Sequence, residues 1–148
     1  MSIIKIVSGG QTGADRGGLD AAIHCSVPHG GWCPKGRRAE DGVIPAKYAM
    51  DESASTKYTV RTEANVVDSD ATVIFTQGVL EGGSLKTAEF ARKHEKPWFH
   101  VDMSRVDRQQ AVNAVVGWLA SSCPAACILN VAGSRESKAT GIRGRVKA

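Results

Sequence analysis

Aromatic residues are scarce in this chain of 148: three Phe, three Trp and two Tyr, about 5%. That speaks against a surface that stacks single-stranded nucleic-acid bases on aromatic rings. Long apolar runs are missing too; none approaches the roughly 18 residues of a membrane span. Only Met1 and Ser2 precede the first apolar segment, so no signal-peptide layout is expected. There is no internal repeat and no low-complexity linker. The four cysteines, Cys25, Cys33, Cys123 and Cys127, show no Cys-x-x-Cys spacing. They and the four histidines (His24, His29, His94, His100) form no matched ligand pairs, so no metal site is expected. The cysteines are expected to be free thiols in a reducing, cytoplasmic setting.

What is present is a chain of ordinary globular composition, 42% apolar and 23% charged, sized for one domain. Nineteen basic and 15 acidic side chains give a formal net charge of +4, and a basic protein invites a nucleic-acid reading. Position weakens it. Residues 134–148 hold Arg135, Lys138, Arg143, Arg145 and Lys147 against Glu136 alone, and the first 133 residues are neutral. The expectation is one domain over 1–142 with a solvated basic tail over 143–148. Nucleic acid and membrane are not expected partners.

Apolar runs alternate with helical patterns. Ile3–Val7 is β-branched and runs into Ser8-Gly9-Gly10-Gln11-Thr12-Gly13, followed by a helical pattern with Leu19, Ala22 and Ile23 on one face. A short strand is expected near Gly30–Cys33, then a long polar loop over 34–46. Thr56 reads as the cap of a helix over 57–67 in which Tyr58, Thr62, Asn65 and Val66 share a face. Ala71–Phe75 is apolar throughout, suited to burial on both faces. It leads to a second small-residue loop, Gly82-Gly83-Ser84, with Ser84 as candidate cap of a helix reaching about His94. Pro97–Val101 reads as a strand. Asp107 and Gln110 match a capping box, and Ala111, Ala114, Val115, Trp118 and Leu119 fall on one face, with Pro124 marking the far end. Ala126–Val131 is the last strand and ends in Ala132-Gly133-Ser134-Arg135. This alternation predicts an open, doubly wound α/β sheet of about five parallel strands. Its three glycine loops would then share the carboxyl edge, where such folds bind ligands.

Small-residue loops before helices expose backbone N–H groups to an anion, and the helix dipole adds positive potential. The first loop lacks both the G-x-G-x-x-G spacing and the Walker G-K-[ST]. Candidate ligand-binding residues are Gly9, Gly10, Gln11, Thr12, Gly13, Asp15 and Arg16 from the first loop. Gly82, Gly83, Ser84, Lys86 and Thr87 come from the second, and Gly133, Ser134, Arg135 and Glu136 from the third. Lys35, Arg37 and Arg38 come from the long loop. Ion pairs bracing the loops are the competing role for Arg16 and Arg135, with Asp15 and Glu136 beside them. Asp15 could instead accept from a sugar hydroxyl or a heterocycle N–H. No catalytic set stands out; any hydrolytic acid or base must come from the carboxylates near the loops.

Five blocks resemble a known family in order: Val7–Arg16, Gly30–Gly42, Asp68–Thr72, Gly82–Ser84 and Asn130–Ser137. The chain resembles the family named putative molybdenum carrier, a circularly permuted, YpsA-like branch of the SLOG or lysine-decarboxylase-like (LOG) Rossmann superfamily. Unpermuted relatives begin with a strand running into Gly-Ser-Arg; the matching Val131–Arg135 comes last here. The resemblance implies that this C-terminal loop belongs to a pocket for a phosphorylated, nucleotide-like molecule, with the molybdenum cofactor (molybdopterin) as the suggested ligand. A homo-oligomer, dimer or tetramer, is expected by analogy. The alternatives are a LOG-type nucleoside-monophosphate phosphoribohydrolase and a sensor of nucleotide-derived ligands such as ADP-ribose. The hydrolases carry Gly-Gly-x-Gly-Thr-x-x-Glu. Gly82 and Gly83 match, and Glu89 falls at the place of their Glu. Leu85 and Lys86 stand where the third Gly and the Thr would be.

Overall fold

The computed structural model describes residues 2–123 and 125–147. In chain order the strands are β1 (Ser2–Val7), β2 (His29–Gly30), β3 (Trp32–Cys33), β4 (Arg38–Ala39), β5 (Gly42–Val43), β6 (Asp51–Glu52), β7 (Ala71–Thr76), β8 (Trp98–Asp102) and β9 (Ala126–Gly133). The helices are α1 (Ala14–His24), α2 (Tyr58–Asp68), α3 (Gly82–Lys93), α4 (Arg108–Ser122) and α5 (Ile142–Lys147). Five strands form the central sheet in the order β2-β1-β9-β7-β8, parallel at every pairing. The doubly wound α/β fold is therefore observed, with helices flanking the sheet. The last strand takes the middle place, with Val7 opposite Asn130 on one side and Phe75 opposite Gly133 on the other.

Burial follows the apolar pattern. β7 is buried on both faces apart from the half-buried Phe75, as a continuous apolar run requires. Val73, Leu129 and Val131 share one core cluster with Val101, Ala111 and Leu119. Phe99 of β8 stacks on Trp118 of α4, with ring centroids 5.5 Å apart. A smaller cluster of Leu19, Cys33, Ile44 and Tyr48 fixes the segment between β2 and α2 to α1. The loop expected over 34–46 contains a β4–β5 hairpin, and β3, inside the strand expected near Gly30–Cys33, pairs in parallel with β6.

Some local expectations are corrected. α2 begins after Lys57 rather than Thr56, and α3 begins at Gly82, which puts Ser84 inside its first turn. The Asp107–Gln110 capping box forms as expected. Pro124 lies outside the described residues. Cys123 and Cys127 are joined in a disulfide, because the end of α4 and the start of β9 bring their Cα atoms within 5.8 Å. Cys25 and Cys33 are free. The segment expected as a solvated tail folds into α5 against α1. Gly17 and Gly18 in α1 make room: a Cβ at Gly17 would lie 2.6 Å from the Arg143 carbonyl oxygen, and one at Gly18 would lie 2.7 Å from Val131 of β9. No helix among the described residues is long and apolar enough to cross a membrane.

Candidate ligand-binding site

Parallel pairing places the ends of β1, β9 and β7 side by side, and a cleft opens there. Gln11 and Asp15 from the first loop and α1 line it, with Tyr58, Arg61 and Thr62 of α2 and Gly83, Ser84, Lys86 and Thr87 of α3. Ala132–Arg135 and Lys138 close the remaining wall. Four basic side chains (Arg61, Lys86, Arg135, Lys138) face two acidic ones (Asp15, Glu81).

The α3 end of the cleft suits an anion. No side chain caps α3; the Ser84 and Leu85 amides donate to the Glu81 carbonyl, which leaves the Gly82 and Gly83 amides open to a ligand. The Lys138 ammonium lies 3.8 Å from where a Gly82 Cβ would stand, which puts a cation beside those amides. Lys86 sits half-exposed in the first turn, near Glu89 at 3.5 Å. Glu89 itself does not line the cleft.

The α2 side is closely built. The Arg61 guanidinium lies 5.6 Å from the Tyr58 ring centre and the Arg135 guanidinium 5.9 Å, so one ring contacts two cations. Arg61 also reaches Asp15 at 3.5 Å. It passes over Gly9, where an added Cβ would lie 1.9 Å from the guanidinium, so that glycine makes room for the arginine. Burial pushes the Asp15 carboxyl above its ordinary value, and the Arg61 charge offsets this only in part.

A solved structure from Syntrophus aciditrophicus SB, named as that of a putative molybdenum carrier protein, matches with a TM-score of 0.93. The two chains are 44% identical over 98% of this one and 90% of the other. The family model described as "Circularly permutated YpsA SLOG family" matches residues 6–148. This chain belongs to that family. No curated protein matches it. The central position of β9 is the permutation seen in three dimensions: in this cpYpsA chain the strand carrying the Gly-Ser-Arg loop is made last and sits in the middle.

The cpYpsA site gathers some of the expected residues and not others. Gln11, Asp15, Gly83, Ser84, Lys86, Thr87, Gly133, Ser134 and Arg135 come together, and Gly82 opens α3 beside them. Much of the first loop is otherwise engaged. The Gly10 amide donates to Ser8 Oγ, the Gln11 amide to Asp15 Oδ2 at 3.2 Å, and the Ala14 amide to the Ser134 carbonyl. Gly13 is pressed against the same Ser134–Glu136 backbone. An anion cradle needs open amides, and these already serve to fold the loop.

Thr12, Arg16 and Glu136 lie behind the cleft, in a network of charges. Arg16 pairs with Asp41, one contact at 2.8 Å, and donates to the Gly10 carbonyl. The bracing role thus holds for Arg16, with Asp41 rather than Asp15 as its partner. Glu40 accepts from Thr12 and from the Ser137 hydroxyl, the latter at 2.6 Å, and Arg135 approaches it at 3.9 Å. Glu136 accepts from the Gly141 and Arg143 amides at the start of α5. Arg143 bonds Asp20 at 2.7 Å and the Tyr48 hydroxyl at 2.8 Å, while Tyr48 donates to Asp20 at 2.6 Å. Burial alone would raise the Asp20 carboxyl, but the bonds from Arg143 and Tyr48 outweigh it and hold it low. Burial and Asp20 push the Tyr48 hydroxyl up to about 12.

Lys35, Arg37 and Arg38 do not line the cleft. Arg37 donates to the carbonyls of Ile44, Pro45 and Tyr48, which holds the long loop closed. Lys35 and Arg38 are exposed. Cys33 is buried, and burial pushes its thiol up, so it is no activated nucleophile. Among the described residues no group of three or more His, Cys, Asp or Glu is placed to hold a metal.

Sequence reasoning missed Arg61, Lys138 and the role of Tyr58. One signal was present: Arg61 stands three residues after Tyr58, beside the face shared with Thr62 and Asn65.

Proposed function

We propose that this chain binds and carries a phosphorylated, nucleotide-like molecule, with the molybdenum cofactor as its cargo. The observation that carries the reading is the uncapped start of α3, which carries Lys86 and shares one cleft with Lys138 and Arg135. Open amides and flexible cations together suit a phosphate group on a small molecule. The name of the Syntrophus structure supports molybdenum as the cargo's metal. The cleft encloses about 100 Å³, well below the roughly 300–1,000 Å³ of sites that bury a drug-sized ligand. The chain therefore grips the charged end of its ligand and leaves the ring more open.

The test is calorimetric titration with molybdenum cofactor, AMP, ADP-ribose and molybdate, beside mass spectrometry of whatever co-purifies. A phosphorylated ligand should bind, and binding should weaken as salt is raised. Lys86→Ala and Arg135→Ala should each weaken it about tenfold, the effect of one charge-assisted hydrogen bond. Absence of binding by every one of these ligands would overturn the reading.

A further inference from the structure

We propose that the inner end of the cleft is a subsite for a sugar hydroxyl, read by Gln11 and Asp15, in a ligand whose phosphate lies against α3. The proposal rests on the phosphate-binding reading above and narrows the cargo to ligands that carry a sugar, a nucleotide-bearing form of the cofactor among them; molybdopterin itself has no sugar hydroxyl.

The Gln11 side chain has a fixed orientation. Its Oε1 accepts from the Thr12 amide at 3.0 Å and the Glu40 amide at 2.9 Å. Those two donors set which end of the amide is oxygen, so Nε2 must face the other way. Nε2 has no hydrogen-bond partner among the described residues, and Gln11 is only 6% exposed. Buried donors without partners are uncommon in folded chains, and this one belongs to a residue that lines the cleft. Asp15 lines the same cleft and is 3% exposed. The inner end thus offers one donor and one acceptor.

A hydroxyl satisfies both with a single atom: its oxygen accepts from Gln11 Nε2 and its hydrogen is donated to the Asp15 carboxylate. An oxyanion would be repelled by Asp15. A heterocycle edge would need two ring atoms in register, and the enclosed space is small. Nε2 is covered, so the hydroxyl reaches it only when a neighbour moves. Arg61, which lies over the nearby Gly9 and lines the same cleft, is the side chain assigned that movement: it makes no hydrogen bond among the described residues, its Nε is buried without a partner, and its pairing to Asp15 is long at 3.5 Å.

The experiment titrates the full chain with ribose 5-phosphate, its 2-deoxy and 3-deoxy analogues, and inorganic phosphate. One deoxy analogue should bind about tenfold more weakly than ribose 5-phosphate, as expected when a ligand loses a hydrogen bond to a charged group. Gln11→Leu should erase that difference. Gln11 also ties the loop together, so the ligand series on the unaltered chain decides by itself if the variant does not fold. Both deoxy analogues binding within threefold of ribose 5-phosphate overturns the hydroxyl subsite while phosphate binding stands. Failure of phosphate and every sugar phosphate to bind overturns both readings.

Discussion

Two charge clusters flank the first glycine loop, and they differ in whether their polar atoms are satisfied. Behind the loop, Arg16 donates to Asp41, Glu40 accepts from Thr12 and Ser137, and Asp20 accepts from Tyr48 and Arg143. In front, among the described residues, no side chain caps α3, and Gln11 Nε2 and Arg61 Nε are buried without partners. Both regions hold arginines close to glycine, and by composition they look alike. A cation whose donors are already used can brace a fold but has little left for a ligand. An unused donor on the wall of a cleft is placed for binding. Nearness of positive charge to a small-residue loop is therefore a weak sign of a site; unspent hydrogen-bonding capacity is a better one.

The comparison can be broken most sharply at Arg16. Arg16→Ala should cost about 2 kcal/mol, as expected for losing the charge-assisted bonds of a buried guanidinium to the half-exposed Asp41 and the Gly10 carbonyl. For a chain of this size that lowers the melting temperature by roughly 4–8 °C. Phosphate affinity, measured where the variant is folded, should change less than threefold. An unchanged melting temperature with a tenfold loss of affinity would place Arg16 in the site and erase the distinction.

Acid should separate the regions by sign. The carboxyls of Asp20, Glu40 and Asp41 are all held below their ordinary values. For Asp41 the bond from Arg16 is the chief cause; for Asp20 and Glu40 hydrogen bonds outweigh burial. Such groups stabilise the fold above the unfolded-state value, about 4, and that stability is lost as the pH falls through the folded-state values. Asp15, raised by burial, acts in the opposite direction: it favours the fold when protonated, and that help is lost as the pH rises. Denaturant midpoints should fall below about pH 4, and Asp20→Asn should flatten that slope. An unaltered slope would show that the rear network does not carry the acid sensitivity.

The smallest effect is expected at Gly9. In Gly9→Ala the new methyl meets only the end of a flexible side chain, Arg61. Stability should shift by no more than about 1 kcal/mol. The displaced guanidinium should alter ligand affinity about threefold, the size of one net hydrogen bond. A large loss of stability instead would move Arg61 from the open region to the bracing one.

Much of the fold was legible because its signals are local. β-branched runs, the Asp107–Gln110 box and the spacing of strands and helices lead directly to a parallel sheet. The front wall was half legible: Gly83, Ser84, Gly133 and Ser134 are small residues in loops that follow strands, Arg135 comes directly after, and all reach the cleft. The partner of Arg16 was not legible, because Asp41 lies 25 residues away on a loop whose path no periodicity describes. Arg61 was overlooked because helical spacing tells which residues share a face, not which loop that face will meet. The disulfide escaped for a similar reason: Cys123 and Cys127 meet only because α4 turns directly into β9.

The place of β9 also sets when the molecule can be built. β2 and β1 form one half of the sheet, β7 and β8 the other, and the strand that joins them spans residues 126–133. On a ribosome the two halves emerge first, each with an open edge where β9 belongs. Such edges invite pairing with other chains. The sheet closes, and the wall that brings Ser134 and Arg135 to the cleft forms, only after synthesis has passed Gly133. A nascent chain stalled before that point would hold both half-sheets and no complete site.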